Sequence, residues 1–534
     1  MALLVAGAIV LGSLRIVSTY LVFNHTVDEP AHIACGMEWL ERGTYTMETQ
    51  HPPLARVMAA LGPYLSGVRL QGVWDKNPTQ FGMYDEGQHV YYAGDHYNRT
   101  LVLARLGILP FFWIACLSVY FWARRFFGNP TAVVSIWIFS FLPPVLAHAG
   151  LGTTDMALAA MTGAAFVTML ASLDNPTLGR SALFGAACGL AVLAKFSILV
   201  FLPVAVAVAL VLYLVAERPG LRRLFGHVRR LALPLVAAIA VAPLTIWAGY
   251  RFHYGPTLPA PELWSGIQAV IEHNRSGHPS YLLGEHSVFG WWYFFPVVLA
   301  VKTPLPFLAL AGFGAVVSLA RWRQKGGAYL IPLGFALAIL GVGMAGHINV
   351  GLRHILPIYL GLAIVAAVGA MRLYEIAGRG HWVMGALILV TGWFAVTSLG
   401  AHPDYLAYFN VIAGDEPERI VADSDLDWGQ DMTRLGTRLR EIGAASVTLQ
   451  PLVFDFYDRR GLPPMDFGSP LVPSPGWNAV SITQWKVMRM GVSLPLTPWP
   501  DRTTMKPIER VGKGMLLYYF PPEKSVGTSA DTAR

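Results

Sequence analysis

The chain has 534 residues, 54% of them hydrophobic and only 13% charged, with a mean hydropathy of +0.48, a balance that excludes an ordinary soluble globular protein. Its net charge of +7 comes without the basic-aromatic pattern of a nucleic-acid binder, so no nucleic-acid partner is expected. Three cysteines, Cys35, Cys116 and Cys188, lack metal-ligand spacing and two of them sit in apolar runs, which argues against a disulfide framework.

Apolar runs close to the roughly 20 residues that cross hydrocarbon recur at 1–23, 101–123, 130–148, 154–172, 181–195, 197–216, 231–250, 293–319, 328–346, 355–371 and 382–400. These predict an all-α polytopic bundle of about eleven transmembrane helices, surrounded by membrane lipids. The first run has neither a basic leading segment nor a small-residue cleavage site and reads as an uncleaved helix. Arg15 within it is expected to snorkel or to face the bundle. Ser181 to Ala216 is nearly continuous, and two short helices broken near Lys195 fit it better than one long helix. No internal repeat of the transporter kind is visible.

Arg124, Arg125, Arg180, Arg218, Arg222, Arg223, Arg229, Arg230, Arg321, Arg323, Lys325, Arg372 and Arg379 fall in alternate short loops, which the positive-inside rule places in the cytoplasm. Segments 24–100, 250–292, 347–354 and 401–534 then face the other side. The expected organisation is a membrane domain over 1–400, including a first external loop at 24–100, followed by an extracytoplasmic domain over 401–534.

That first loop opens with Asn24-His-Thr-Val-Asp-Glu-Pro-Ala-His32, and Asp28 and Glu29 lie where membrane meets water. Pro30 suits a helix start, with Ile33, Met37 and Leu40 on one face; a second helix begins at Pro52-Pro53 with Leu54, Val57, Met58 and Leu61 as its stripe. Both read as amphipathic helices in the interface. Glu29 suffices to cap the first of them, which leaves Asp28 unexplained, and an idle carboxylate is costly at this depth. Asp28 is therefore the foremost candidate to accept or orient a proton, with Glu29 either a cap or a second catalytic group. His51, in the His-Pro-Pro run, lines the same site or is a plain surface residue.

Asp155 stands at the outer mouth of the fourth run, as a helix cap or as a partner of Asp28 in catalysis or in binding a divalent metal. No dense oxygen-ligand cluster accompanies them, so metal dependence stays open. Lys195, Lys302, Arg353 and His354 are cations placed at bends or inside apolar runs. An unpaired lysine at a helix centre costs about 2.5–3.5 kcal/mol, so these four either pair with Asp28 and Asp155 or hold an anionic leaving group. In the loop 250–292, Trp291, Trp292 and Tyr293 read as an interfacial belt, and His278, Tyr281, Glu285 and His286 as substrate contacts.

Past Leu399 the apolar runs stop. Segments 446–454, 478–484 and 514–520 read as strands and 431–443 as an amphipathic helix, predicting a small α/β domain with a disordered tail from Glu523. Asp423, Asp425 and Asp427 alternate like a calcium loop, but Trp428 replaces the turn glycine and Arg434 the bidentate glutamate; a polar loop capping the helix fits better. Asp427 or Trp428 in a binding role is the alternative.

Taken together, the elements Asp28-Glu-Pro-Ala-His32, His51-Pro-Pro-Leu-Ala55 and Ile348-Asn-Val-Gly-Leu-Arg-His354 resemble the GT-C glycosyltransferases, in particular the protein O-mannosyltransferase and aminoarabinose-transferase-like branch. The resemblance implies an inverting transferase of the cell inner (plasma) membrane. It implies a polyprenyl-phosphate sugar donor, a lipid, glycan or protein acceptor, and an active site facing the periplasm or exterior. It also implies Asp28 as proton acceptor, a second acidic residue at Asp155, and cations at Lys195, Lys302, Arg353 and His354 beside the donor phosphate. The competing class is a transporter or flippase for an anionic lipid-linked substrate, which would use the same intramembrane charges as a pathway.

Overall fold

The structure, a computed structural model, describes residues 1–378, 380–453, 455–469, 472–487, 499 and 505–522; Arg379 and the tail from Glu523, both assigned above from sequence, lie outside these. The chain is a multi-pass membrane protein. Helix α1 (Ala2–Val17) is followed by α2 (Glu29–Glu41), α3 (Pro53–Leu65) and α4 (Gln80–Tyr92), which occupy the first long loop, and then by α5 (Tyr97–Leu106) and α6 (Leu109–Ser140). At Gly128, α6 takes φ +82°, a value that favours glycine, and the chain bends there into two passes. After α7 (Pro143–Ala149) come α8 (Asp155–Asp174), α9 (Leu178–Ala194), α10 (Ile198–Glu217), α11 (Leu221–Gly249) and α12 (Pro261–Ser276). A hairpin of β1 (Ser280–Leu282) and β2 (Glu285–Ser287) leads to α13 (Phe294–Lys302), α14 (Leu305–Lys325), α15 (Ile331–Met344), α16 (Ile358–Ala377) and α17 (His381–Gly400).

Among the described residues, eight helical stretches are long and apolar enough to cross a membrane, α1 and α9 are shorter apolar helices, and the longest stretch, Tyr97–Ser140, contains the Gly128 bend. The expected bundle of about eleven spans is thus present. Both intramembrane lysines stand at helix breaks. Lys195 is extended (φ −165°) between α9 and α10, where the sequence placed the interruption. Lys302 ends α13, because Pro304 cannot donate to the helix and holds Thr303 extended (φ −106°, ψ 136°).

Phe112, Trp122, Phe166, Phe335 and Tyr359 fill the centre of the bundle, while α17 lies at its periphery, with Ser398 fully buried, Val390 and Phe394 partly buried against the core and much of the remaining surface exposed. Arg15 faces the bundle: it donates to Ser398 Oγ (2.9 Å) and the Tyr405 hydroxyl (3.1 Å). One expectation differs. Helix α2 is enclosed from Glu29 to Glu38 instead of lying with a single face in the interface, because α3 packs on one side of it and α4 on another. The small residues Ala31, Ala34 and Cys35, all buried, give α2 a second packing face that the Ile33–Met37–Leu40 stripe did not reveal.

The C-terminal region carries α18 (Met432–Glu441), β3 (Val447–Gln450), β4 (Met465–Phe467), β5 (Gly476–Ser481), α19 (Ile482–Lys486), β6 (Glu509–Val511) and β7 (Met515–Phe520). The sheet order is β4-β3-β5-β7-β6, with β3 parallel to β4 and β5 and the remaining pairs antiparallel. Met432, Leu435 and Leu439 of α18 lie on one face and close over Leu449, Ala479 and Leu517 of the sheet.

Candidate active site

Asp28 is the N-cap residue directly before α2, and Arg353 lies within a short turn at Leu352–Ile355. Arg353 Nη1 donates to Asp28 Oδ2 at 2.9 Å and lies 3.9 Å from Asp155 Oδ2, while Lys195 Nζ donates to Asp155 Oδ1 at 2.6 Å. Four groups scattered over 325 positions of sequence thus form one alternating chain: Asp28, Arg353, Asp155, Lys195. Asp155 is fully buried and Asp28 partly open, its side chain 21% exposed.

Arg353 is more than a counter-ion. Its guanidinium lies over the Trp428 ring at 4.1 Å from the centroid, and its Nε is buried with no hydrogen-bond partner among the described residues. A guanidinium has five donors in a planar fork, and here part of the fork is unused beside a partly open carboxylate. Burial works to lower the Arg353 pKa, yet Asp28, then Asp155 and Asp423, outweigh it and raise it. Gly351 makes this turn possible: at φ +135° it approaches the next loop so closely that a Cβ would stand 2.8 Å from Ser424 Oγ.

Glu29 has a different place from Asp28. It is fully buried and receives Arg105 through Nε (2.9 Å) and Nη2 (2.8 Å), together with the backbone N–H groups of Thr26 (2.7 Å) and Gly152 (2.8 Å). Burial alone would raise its pKa; Arg105 and the backbone donors outweigh that and hold it low. Glu29 ties the first loop to α5 and to the turn before Asp155.

The expected cations separate into two kinds. Lys195 and Arg353 meet the carboxylates. Lys302 instead donates to the carbonyls of Leu406 (2.6 Å) and Asp425 and lies 4.2 Å from the Phe409 centroid, at the joint between α13 and the C-terminal region. His354 is pushed well below the ordinary imidazole range by burial and by the nearby charges of Lys195 and Arg353. It is neutral at pH 7 and can offer a hydrogen bond, not a charge.

His51 bonds Glu48 (3.0 Å) in a network with Arg56, and its ring lies 5.3 Å from that of His32. His278 Nδ1 stands 3.1 Å from His273 Nε2, and burial, His273 and Arg353 push it down to about 4 against the opposing pull of Asp28. Tyr281 is buried in the C-terminal core with Ala422 and Val480, and Glu285 is exposed on the hairpin. Among the residues expected to contact substrate, His278 is coupled electrostatically to Arg353 and Asp28.

The loop 423–431, read from sequence as a helix cap with Asp427 or Trp428 in a binding role as the alternative, makes contacts that sequence reasoning missed. Trp428 offers its carbonyl to the Val27 N–H (3.1 Å), Asn24 Nδ2 donates to the Gly429 carbonyl (2.7 Å), and Asn24 Oδ1 accepts from the Met432 N–H (2.8 Å). The segment bearing Asp28 is therefore laced to this loop. Its aspartates diverge: Asp425 accepts from the Leu352 N–H (3.1 Å), whereas Asp427 accepts from Gly429 (3.0 Å) and Thr483 (3.1 Å). They share no centre. Among the described residues no group of three or more His, Cys, Asp or Glu side chains gathers for a metal, and Asp28 and Asp155 already face fixed cations. That donor set does not fit a resident divalent cation.

Asp423 remains distinct. It is half-buried at φ +62° beside Arg353, and burial pushes it up to about 7 against the pull of Arg353, with Asp28 and Asp425 adding repulsion. A carboxyl raised in the fold keeps its proton where the unfolded chain has lost its own, so stability falls as pH rises from about 4 to about 7. Asp423→Asn is expected to match wild type below about pH 4 and to gain on the order of 1–3 kcal/mol above pH 7. Thermal unfolding measured at both ends of that range checks the sign.

Comparison with known proteins agrees with this architecture. The family model described as dolichyl-phosphate-mannose-protein mannosyltransferase matches residues 101–247. The undecaprenyl phosphate-α-4-amino-4-deoxy-L-arabinose arabinosyl transferase 1 of Pseudomonas fluorescens (strain Pf0-1) is 24% identical over 307 residues, 54% of this chain. That match spans about half, 48%, of the relative's own length. The crystal structure of ArnT from Cupriavidus metallidurans bound to undecaprenyl phosphate superposes with a TM-score of 0.50 at 16% identity, covering 97% of each chain. At the level of fold, the chain is therefore similar to the ArnT structure over nearly its whole length, in keeping with the resemblance read from the sequence.

Proposed function

We propose that the chain is a membrane glycosyltransferase that moves a sugar from a polyprenyl-phosphate donor to an acceptor hydroxyl at the extracytoplasmic face of the inner membrane. The observation that carries this reading is the alternating Asp28–Arg353–Asp155–Lys195 chain, with the Nε of Arg353 unused and Asp28 partly open. The names of the similar proteins, one bound to undecaprenyl phosphate, support the class of donor.

Transfer from a lipid phosphate needs a proton acceptor and a cationic cradle for the departing anion. Here the acceptor oxygen attacks the anomeric carbon and gives its proton to Asp28. The bond from that carbon to the phosphate oxygen breaks on the opposite side, and its electron pair stays on the phosphate. The result is inversion. Arg353 and Lys195 hold the developing charge, Trp428 keeps the guanidinium in place, and Asp155 fixes the spacing of the two cations.

Arg353→Ala should weaken undecaprenyl-phosphate binding by about 10- to 100-fold, the scale of a charge-assisted hydrogen bond. Arg353→Lys should restore only part, since a point charge lacks the planar fork. Binding measured with the purified protein in lipid nanodiscs tests both. Unchanged affinity with a lowered melting temperature, rescued by Asp28→Asn, would make Arg353 a structural counter-ion and refute its phosphate role.

A further inference from the structure

A cavity of about 870 Å³ opens between α4 and the β3–β4 edge of the C-terminal sheet. It reaches the site through Val27 and Pro30, which bracket Asp28 and Glu29 in sequence, and through Tyr84, whose hydroxyl feels the charges of Asp28 and Arg353. The rings of Phe81, Phe456 and Phe467 line it. Phe81 and Phe467 are nevertheless 73% and 70% exposed, so they stand at its open side. Large exposed aromatics gathered on a groove beside a reactive carboxylate mark a binding surface more readily than a random surface patch.

The charge of the lining restricts the occupant. Asp85 and Asp458 face it and no lysine or arginine lines it among the described residues. Asp455, also in the lining, is matched by Arg460 (2.6 Å) and the Tyr92 hydroxyl (2.7 Å). The lining itself offers a phosphorylated or acidic ligand carboxylates and no cation, the nearby Arg459 (5.6 Å from the Phe456 centroid) being paired with Asp95 (3.1 Å) and Arg460 with Asp455, whereas ring faces interspersed with carboxylate and amide acceptors suit hydroxyl-bearing rings. Arg353 and Lys195, which favour an anion, lie instead on the Asp155 side of Asp28.

We propose that this cleft binds the acceptor, and that the acceptor is an uncharged saccharide, its attacking hydroxyl delivered to Asp28 past Val27 and Tyr84. This rests on the glycosyl-transfer reading and adds to it the class and the seat of the second substrate. Sugar pyranose faces would stack on Phe81, Phe456 and Phe467.

The test uses the full chain in nanodiscs, radiolabelled polyprenyl-phosphate sugars, and an envelope extract divided on an anion exchanger into neutral and acidic glycan fractions. Label should pass to the neutral fraction. Phe81→Ala and Phe467→Ala should lower kcat/KM for that fraction by about 10-fold, mainly through KM, with undecaprenyl-phosphate affinity within about 2-fold of wild type. Both side chains are largely exposed, so their loss spares packing, and Phe81→Trp should retain transfer. Label in the acidic fraction would overturn the substrate class. Wild-type transfer by both alanine variants would overturn the site. A wild-type protein that transfers nothing would refute the glycosyl-transfer reading itself, and the cleft assignment with it.

Discussion

Asp28→Asn is expected to leave a folded, membrane-inserted protein whose sugar transfer has fallen by about 100-fold or more, the usual scale for losing a general base. The side chain is 21% exposed and makes one ion pair, to Arg353 at 2.9 Å, so the amide fits the space and disturbs little packing. Undecaprenyl-phosphate binding should survive the change, because Arg353 is released from its partner and Lys195 still pairs with Asp155. Lost turnover with retained lipid binding is the signature of a proton acceptor. Lost binding with normal turnover at saturation would assign Asp28 to donor recognition instead.

The neighbouring carboxylate should behave in the opposite way. Glu29→Gln removes the charge that faces Arg105 at 2.8 Å inside a fully buried site, and breaking a buried pair by removing one partner costs about 3–5 kcal/mol. The expected result is a loss of thermal stability large enough to reduce the yield of folded protein, measured by unfolding in detergent at pH 7. The pH dependence has a defined sign. The Glu29 carboxyl is held below its ordinary value of 4.5, so its contribution is complete above that value and disappears as pH falls through the depressed one. Relative to wild type, the deficit of Glu29→Gln should therefore shrink on acidification. Two adjacent acids, Asp28 and Glu29, are thus predicted to separate cleanly into turnover and stability.

Much of this was legible in the sequence, for identifiable reasons. Hydropathy located the spans because backbone groups in lipid must be satisfied within helices. Asp28, Asp155, Lys195 and Arg353 were visible as charges too costly to be idle at membrane depth, and the structure brings those four together. Lys302 obeyed the same cost argument but met it with the carbonyls of Leu406 and Asp425, which no local pattern announces. Tyr281 and Glu285 show a further limit: a loop rich in aromatic and polar residues does not say which of them turn into a neighbouring core and which face outward. Trp428 was visible only as an alternative binding residue, and Asn24 was hidden because its partners lie far off in sequence, Asn24 bonding Gly429 across 405 positions. The alternating aspartates 423, 425 and 427 suggested a common centre, yet Asp425 and Asp427 are drawn apart by separate backbone donors, while Asp423 stands beside Arg353.

The central claim is that this cluster transfers a sugar from a lipid phosphate. It is tested most directly by incubating the purified wild-type protein in nanodiscs with individual radiolabelled polyprenyl-phosphate sugars and an envelope extract, then following the label. The prediction is consumption of one donor, release of free polyprenyl phosphate in equal amount, and label joined to an acceptor with inverted anomeric configuration. Intact donor moved from one leaflet to the other, with the sugar–phosphate bond unbroken, would contradict it.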